Sequence, residues 1–398
     1  MIASLPMPVV DSEHPNRPLH VLTLTPFYPT LQDEAQGCFV AEVLPAIEQQ
    51  GIVNTVLAVQ PFYRARSRAS PLALSAHWSR FPSLPGGFGL PSSGAFLFAT
   101  ILRKVRQIHR LNPVDVIHAH AALPCGHAAV LLERELGIAF VVTVHGLDAF
   151  STNQVGGFAG DWSKRISRLA YRSAKSVICV SEKVRDQVLE GAAAPVKTTV
   201  IYNGVDPQVF APAKDTLVSA TILSVGNLIP TKGHELLLRA FAAVSPQFPG
   251  SSCEIIGGGP ELSGLRRLAA KLSIAERVRF LGRQSRSQVA DAMRGCTVFA
   301  LPSRYEGLGC VYLEAMSAGK PVIACRGQGI EEVIQHRSNG WLIGADDLQE
   351  LTDAFLILLK DAELRRQLGD AARQTILEGF TLVHQAEHLA RLYRECLK

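Results

Sequence analysis

From Leu19 onward, short β-branched runs alternate with amphipathic stretches. HVLTLTP (20–26), NTVLAVQ (54–60), VDVIHAH (114–120), AFVVTVH (139–145), SVICVS (176–181) and TTVIYNG (198–204) form a first series. These are apolar runs without strict alternation, as expected of parallel strands covered on both faces. A second series follows: TILSVG (221–226), CEIIG (253–257), VRFLG (278–282), TVFALPS (297–303), PVIAC (321–325) and GWLIG (340–344). Helical patterns lie between its members over 233–244, 260–272, 287–293 and 309–318. Beyond them, Leu348, Leu351, Phe355, Leu358 and Leu359 recur at steps of three and four, the stripe of a helix seated on a core. Strand and helix in alternation predict an α/β protein with two doubly wound parallel sheets.

The polar, proline-bearing VDPQVFAPAKDTL (205–217) separates the two series. The division it predicts is a flexible start (1–18), a first domain (19–205), a linker (206–217), a second domain (218–380) and a terminal helix (381–398) that crosses back to the first domain. Ligands are expected in the cleft between the domains, beside the carboxyl ends of the strands. A chain of 398 residues suits two such units.

Composition narrows the class. Hydrophobic residues at 47% and charged residues at 19% exclude disorder and fibrous repeats. A net charge of +5 is too small to point to nucleic acid. The eight cysteines are scattered with no CxxC, which predicts a reduced, cytoplasmic compartment. The start, MIASLPMPVVDSEHP, lacks a basic region followed by an apolar core, so no secretory leader is expected. The uncharged stretch 81–102 is broken by Gly, Pro and Ser and reads as a loop entering a helix.

The most informative segment is SRYEGLGCVYLEAMSAGKPVIA (303–324). A strand ends at Ser303, Glu306 stands in the loop, and Gly307-Leu308-Gly309 opens a helix that begins near Cys310 and Val311 and carries Glu314. Free N–H groups at such a helix start form an anion site suited to a diphosphate. Glu306 can accept hydrogen bonds from sugar hydroxyls, and Glu314, eight residues on, can take another diol. Read more plainly, this is a strand–turn–helix connection with an acidic residue near the helix dipole.

Glu-x7-Glu here resembles the signature of retaining glycosyltransferases of family 4, which have the GT-B fold of two Rossmann-like domains facing across a cleft. Other blocks agree in order. GNLIPTKGHELLL (226–238) is similar to the family's Gly-Arg-Leu-x-x-x-Lys-Gly block, and EIIGGGPE (254–261), with Gly258, to its strand-turn before a helix. HAHAALPCGHAA (118–129), TVHGLD (143–148) and IYNGVD (201–206) are similar to its N-terminal and hinge blocks. The resemblance implies a hexosyl transfer from a nucleotide-diphosphate sugar to a glycan or lipid-linked hydroxyl, in cell-surface polysaccharide or glycolipid synthesis. It makes Lys232 the cation for the departing β-phosphate, Glu306 and His145 the groups at the reacting sugar, Glu314 the ribose partner, and Gly37 the residue that lets backbone approach the diphosphate. His120 and Asp148 fall on the acceptor side. Asn227 departs from the pattern, standing where the family usually has Arg; Arg304 and Arg326 are alternative cations.

Three features compete with or extend this reading. His118 and His120 share one strand face, but with no Cys or carboxylate at ligand spacing they predict no metal, and no Asp-x-Asp is present. HQAEH (384–388) has the inverted zinc-protease pattern, yet little chain remains to supply a third ligand. Neither a cofactor nor a metal is expected. Between Glu48 and Asp115 there is no acidic residue, while Arg64, Arg66, Arg68, Arg80, Arg103, Lys104, Arg106 and Arg110 are interleaved with seven aromatics. That mixture suits an anionic membrane or a lipid pyrophosphate, or else a solvated helix face. Contact with the inner membrane face is one of two equal expectations there. A nucleotide-sugar epimerase of similar shape and a non-catalytic sugar-nucleotide binder are the remaining alternatives.

Overall fold

A computed structural model describes residues 17–31, 33–64, 76–85, 87–150, 155–213 and 220–398. The first lobe carries strands β1 (Leu19–Thr25), β2 (Ile52–Pro61), β3 (His77–Phe81), β4 (Val116–His120), β5 (Ala139–Val144), β6 (Val177–Cys179) and β7 (Thr198–Val200). They form one parallel sheet in the order β3-β2-β1-β4-β5-β6-β7. Its helices are α1 (Cys38–Ala41), α2 (Leu44–Gln49), α3 (Leu90–Leu111), α4 (His127–Leu136), α5 (Gly157–Ser173) and α6 (Glu182–Ala192).

The second lobe carries β8 (Thr221–Val225), β9 (Ser252–Ile256), β10 (Val278–Gly282), β11 (Val298–Ala300), β12 (Val322–Cys325) and β13 (Trp341–Ile343), also parallel, in the order β10-β9-β8-β11-β12-β13. Its helices are α7 (His234–Val244), α8 (Leu262–Lys271), α9 (Arg286–Gly295), α10 (Cys310–Ser317), α11 (Leu348–Lys360) and α12 (Ala362–Gly379), and the chain ends in α13 (Leu382–Glu395).

The continuous apolar runs have a simple cause. In β1, Leu22 and Leu24 enter a core cluster on one face while Val21 enters a different cluster on the other, so every position after the half-buried Leu19 is buried. The same division separates Leu223 from Ile222 in β8. The doubly wound α/β architecture is the one predicted. The first sheet has a seventh strand that was not: β3, HWSRF, is a polar edge strand whose inner residue Phe81 alone is buried. Phe81 therefore closes a strand, and the helix after the loop is α3.

Helix α13 packs against α2, and its Ala386, Leu389, Ala390, Leu392 and Tyr393 share a core cluster with Val21, Leu44 and Val141. The chain passes between the lobes twice, and the passages lie side by side: Val205 N–H donates to Phe380 at 2.9 Å and Leu382 N–H donates to Val205 at 3.1 Å. Among the described residues, no helix is long and apolar enough to cross a membrane.

Candidate active site

Parallel strands deliver their chemistry at their carboxyl ends. In the first lobe β4 ends at His120 and the neighbouring β5 at Val144, one residue before His145. In the second, β8 leads into Asn227, β9 into Gly257 and β11 into the loop holding Glu306. These edges face one another across a cleft of about 1690 Å3, counting its open mouth. His145, Asn227, Lys232, Glu306, Gly307, Leu308, Gly309, Cys310, Val311 and Glu314 all line it.

Lys232 ends a one-turn 3-10 helix, Pro230–Lys232, and its Nζ donates to Glu306 Oε1 at 2.6 Å. The same oxygen accepts from Ser303 Oγ at 2.8 Å, and Gln328 Oε1 accepts the Glu306 backbone N–H at 3.0 Å. Glu306 is thereby fixed in place. Beyond it, Gly309 precedes α10 with φ +88° and provides no side-chain cap; the Tyr312 N–H bonds to the Gly309 carbonyl at 3.0 Å, and the N–H groups of Cys310 and Val311 remain available to an anion. Gly307 is required by proximity, since a Cβ there would collide with the His145 carbonyl. Ser181 Oγ also donates to the Gly307 carbonyl, at 2.5 Å. The Glu306 loop is thus seated directly on the first lobe.

The histidines form a stack. His118 and His120 rings lie 4.2 Å apart, and the His120 and His145 rings are nearly parallel with centroids 5.3 Å apart and 3.1 Å between His120 Nδ1 and His145 Nε2. His118 is anchored on both nitrogens, by Tyr393 Oη and Thr143 Oγ1, each at 2.6 Å. Phe39 covers His145 at 4.6 Å. Burial pushes the His145 imidazole down to about 3. Burial, then the neighbouring His145, brings His118 to about 3 as well. His120 is also lowered, by burial and then by both neighbours. All three rings are neutral near pH 7. His145 keeps Nδ1 buried and without a partner.

Several predicted residues sit elsewhere. Asp148 does not line the cleft: its Oδ1 accepts the His145 backbone N–H at 2.9 Å, so it shapes the loop beneath the histidine. Burial, partly opposed by those backbone bonds, pushes its carboxyl up to about 6. Gly37 stands between the cleft residues Gln36 and Cys38, at φ +72°, but a Cβ there would strike the Phe27–Tyr28 backbone. The chain's own turn requires that glycine. Gly258 is set back from the cleft against Arg283, and its neighbour Gly257 forms the wall. Arg64 is exposed at the end of β2, where its carbonyl accepts from Arg80 at 2.8 Å, and it is not in the cleft. Arg66 and Arg68 lie outside the described residues. Arg304 pairs with Asp346 and Arg326 with Glu350, both on the surface. His384 of HQAEH is spent on its own helix, in a capping box with Thr381. Among the described residues, no group of three His, Cys, Asp or Glu is placed to hold a metal ion.

Two cleft arginines were not read from the sequence. Arg283 pairs with Asp33 of the first lobe, and Arg286 bridges Glu42 and Glu314. Burial opposes the Arg286 charge, but Glu314 and Glu42 outweigh it and raise its pKa. No spacing rule announces either residue; both follow β10 only through the turn into α9.

A family described as Glycosyl transferases group 1 matches residues 213–375, and one described as Glycosyltransferase Family 4 matches residues 37–209. An uncharacterized glycosyltransferase of Methanocaldococcus jannaschii is 31% identical over 270 residues, 68% of this chain and 72% of that protein. Sucrose-phosphate synthase of Thermosynechococcus elongatus aligns with a TM-score of 0.76 at 21% identity, over 95% of this chain and 98% of its own. Anabaena HepE, solved with UDP and with UDP-glucose, aligns at 0.73 and 20% identity over 95% and 100%. These solved structures speak to the two-lobed architecture, while the sequence matches reach across both lobes. The chain belongs to glycosyltransferase family 4, with the GT-B fold.

Proposed function

We propose that this glycosyltransferase moves a hexosyl unit from a nucleotide-diphosphate sugar to a hydroxyl of a glycan or lipid-linked acceptor, with retention and without a metal ion. The observation that carries this reading is the Lys232–Glu306 pair facing the uncapped start of α10 in one cleft. A diphosphate placed there meets an ammonium and a helix N-terminus, the charges that a leaving phosphate needs. Glu306, released from Lys232, is free to hold sugar hydroxyls. Glu314 Oε2 is buried with no partner and suits a ribose diol. His145 is neutral and presents Nδ1, which positions a sugar hydroxyl rather than attacking carbon. Arg283 of the cleft wall, once released from Asp33, supplies the second positive charge that Asn227 lacks.

In this reading the acceptor oxygen bonds to the anomeric carbon on the face from which the diphosphate leaves, and a β-phosphate oxygen takes the acceptor proton. HepE's complexes with UDP and UDP-glucose favour a donor of this class. The exposed Phe62, Tyr63, Leu84, Phe88 and Phe96, set among the basic residues of 62–110, support the reading that the first lobe meets a lipid-linked acceptor at an anionic membrane.

The test is a panel of UDP-, GDP- and ADP-sugars scored for thermal stabilisation and donor hydrolysis. Product configuration follows by NMR, and a chelator control tests the metal. No stabilisation by any of them, or an inverted product, overturns the reading.

A further inference from the structure

Glu314 is held by a guanidinium that also reaches the other lobe. Arg286 opens α9 in the second lobe, and its Nη1 donates to Glu314 Oε1 at 2.8 Å. Its Nε and Nη2 take both oxygens of Glu42, at 2.7 and 3.0 Å, and Glu42 caps α1 in the first lobe. The Arg286 guanidinium lies 4.9 Å above the Phe210 ring, on the segment that joins the lobes. Only 13% of the Arg286 side chain and 4% of Glu314 is exposed. Two carboxylates and one guanidinium leave a net charge of −1, and the one unpartnered oxygen, Glu314 Oε2, belongs to a cleft residue. Glu42 is not among the residues lining the cleft.

We infer that Arg286 is a positioning residue and that Glu42, from the opposite lobe, decides how much of Glu314 is offered to the donor. The inference rests on the donor reading above. A guanidinium has a planar fork that takes a carboxylate bidentately when nothing else occupies it. Glu42 occupies the Nε/Nη2 edge of the guanidinium, and Glu314 meets the remaining Nη1 through one oxygen only. The second oxygen of Glu314 is then free to accept from a hydroxyl pair of a nucleoside. When Glu42 is absent, or when the lobes separate, Arg286 turns both arms on Glu314 and the acceptor is lost. Donor affinity is thereby tied to lobe seating through one side chain that touches both lobes.

The test uses the full chain and calorimetric titration with UDP, GDP, ADP and inorganic pyrophosphate. Glu42→Gln should weaken the nucleoside diphosphate that the wild type binds by about tenfold and raise the donor KM in step, with kcat and pyrophosphate affinity within about twofold of wild type. Adding Arg286→Gln to Glu42→Gln should recover at least half of that loss on a logarithmic scale, because the competing fork is gone. Equal nucleotide binding by wild type and Glu42→Gln overturns the inference and leaves the donor reading intact. Loss of nucleotide and pyrophosphate binding together, with no recovery in the double variant, assigns Glu42 to general lobe structure and overturns it too. A wild-type chain that binds none of the three nucleotides sinks the donor reading, and this inference with it.

Discussion

Lys232 and Glu306 neutralise each other across 2.6 Å in a cleft that holds no other direct partner for the Lys232 ammonium among the described residues. The pair sets opposite signs for binding and turnover. Lys232→Ala removes the charge facing the diphosphate and should lower both nucleotide affinity and transfer, the latter by at least about a hundredfold. Glu306→Gln frees the ammonium and should tighten nucleoside diphosphate binding severalfold while lowering transfer by a similar hundredfold. Calorimetry and single-turnover rates on the two folded variants separate these outcomes, and parallel losses of affinity in both would refute the assignment.

Asn227→Arg should tighten nucleoside diphosphate binding by about tenfold, the worth of one added charge-assisted contact. The side chain lines the cleft on the turn after β8, and Arg283 already occupies the neighbouring wall. Unchanged affinity would mean that position 227 does not face the phosphates.

Arg304→Ala and Arg326→Ala should leave transfer within about twofold of wild type. Each guanidinium is engaged by a surface carboxylate, and exposed pairs of this kind contribute about 0–1 kcal/mol. A tenfold loss in either variant would return it to the list of phosphate cations.

Tyr393→Phe leaves His118 Nδ1 buried without its partner and should cost about 1–3 kcal/mol in a denaturant titration. Because His118 stacks on His120, and His120 contacts His145, the variant should also lower kcat severalfold with donor KM unchanged. A stability loss with wild-type kcat would show that the stack does not orient His145.

Acid should destabilise the protein through the same rings. His118 and His145 titrate near 3 when folded and near 6.5 when unfolded, so between those values the unfolded chain binds more protons. Stability therefore falls as pH drops from about 6.5 toward 3, with a slope of up to about 1.4 kcal/mol per pH unit for each ring. Asp148 works the other way, since its raised folded value near 6 loses stability as pH rises from about 4 to 6. Two rings outweigh one carboxyl, and His118→Gln should flatten the acid limb of a plot of melting temperature against pH.

Local pattern was enough for the sheets and for the Glu306 loop, because strand burial on both faces and Gly-Leu-Gly before a helix are encoded within a few residues. The edge strand β3 escaped because an edge faces solvent on one side and its sequence is polar. Arg286 escaped for another reason: its partner Glu42 is 244 residues away and in the other lobe, a distance over which no periodicity operates. Asp148 stands out in the sequence only as part of a block, and no spacing announces that its Oδ1 takes the His145 backbone N–H.

The doubled passage at Val205 and Thr381 gives the chain end an unexpected weight. Removing residues 381–398 would not trim a peripheral helix. It would cut one of the two cords at the pivot, strip Leu389 and Tyr393 from the first lobe's core and leave His118 with Thr143 as its one remaining anchor. Gln385, which bonds Asn203 at 3.3 Å while Asn203 reaches Cys310, would go too. A tag or fusion at the carboxyl end of α13 therefore acts on a segment wired to both walls of the cleft.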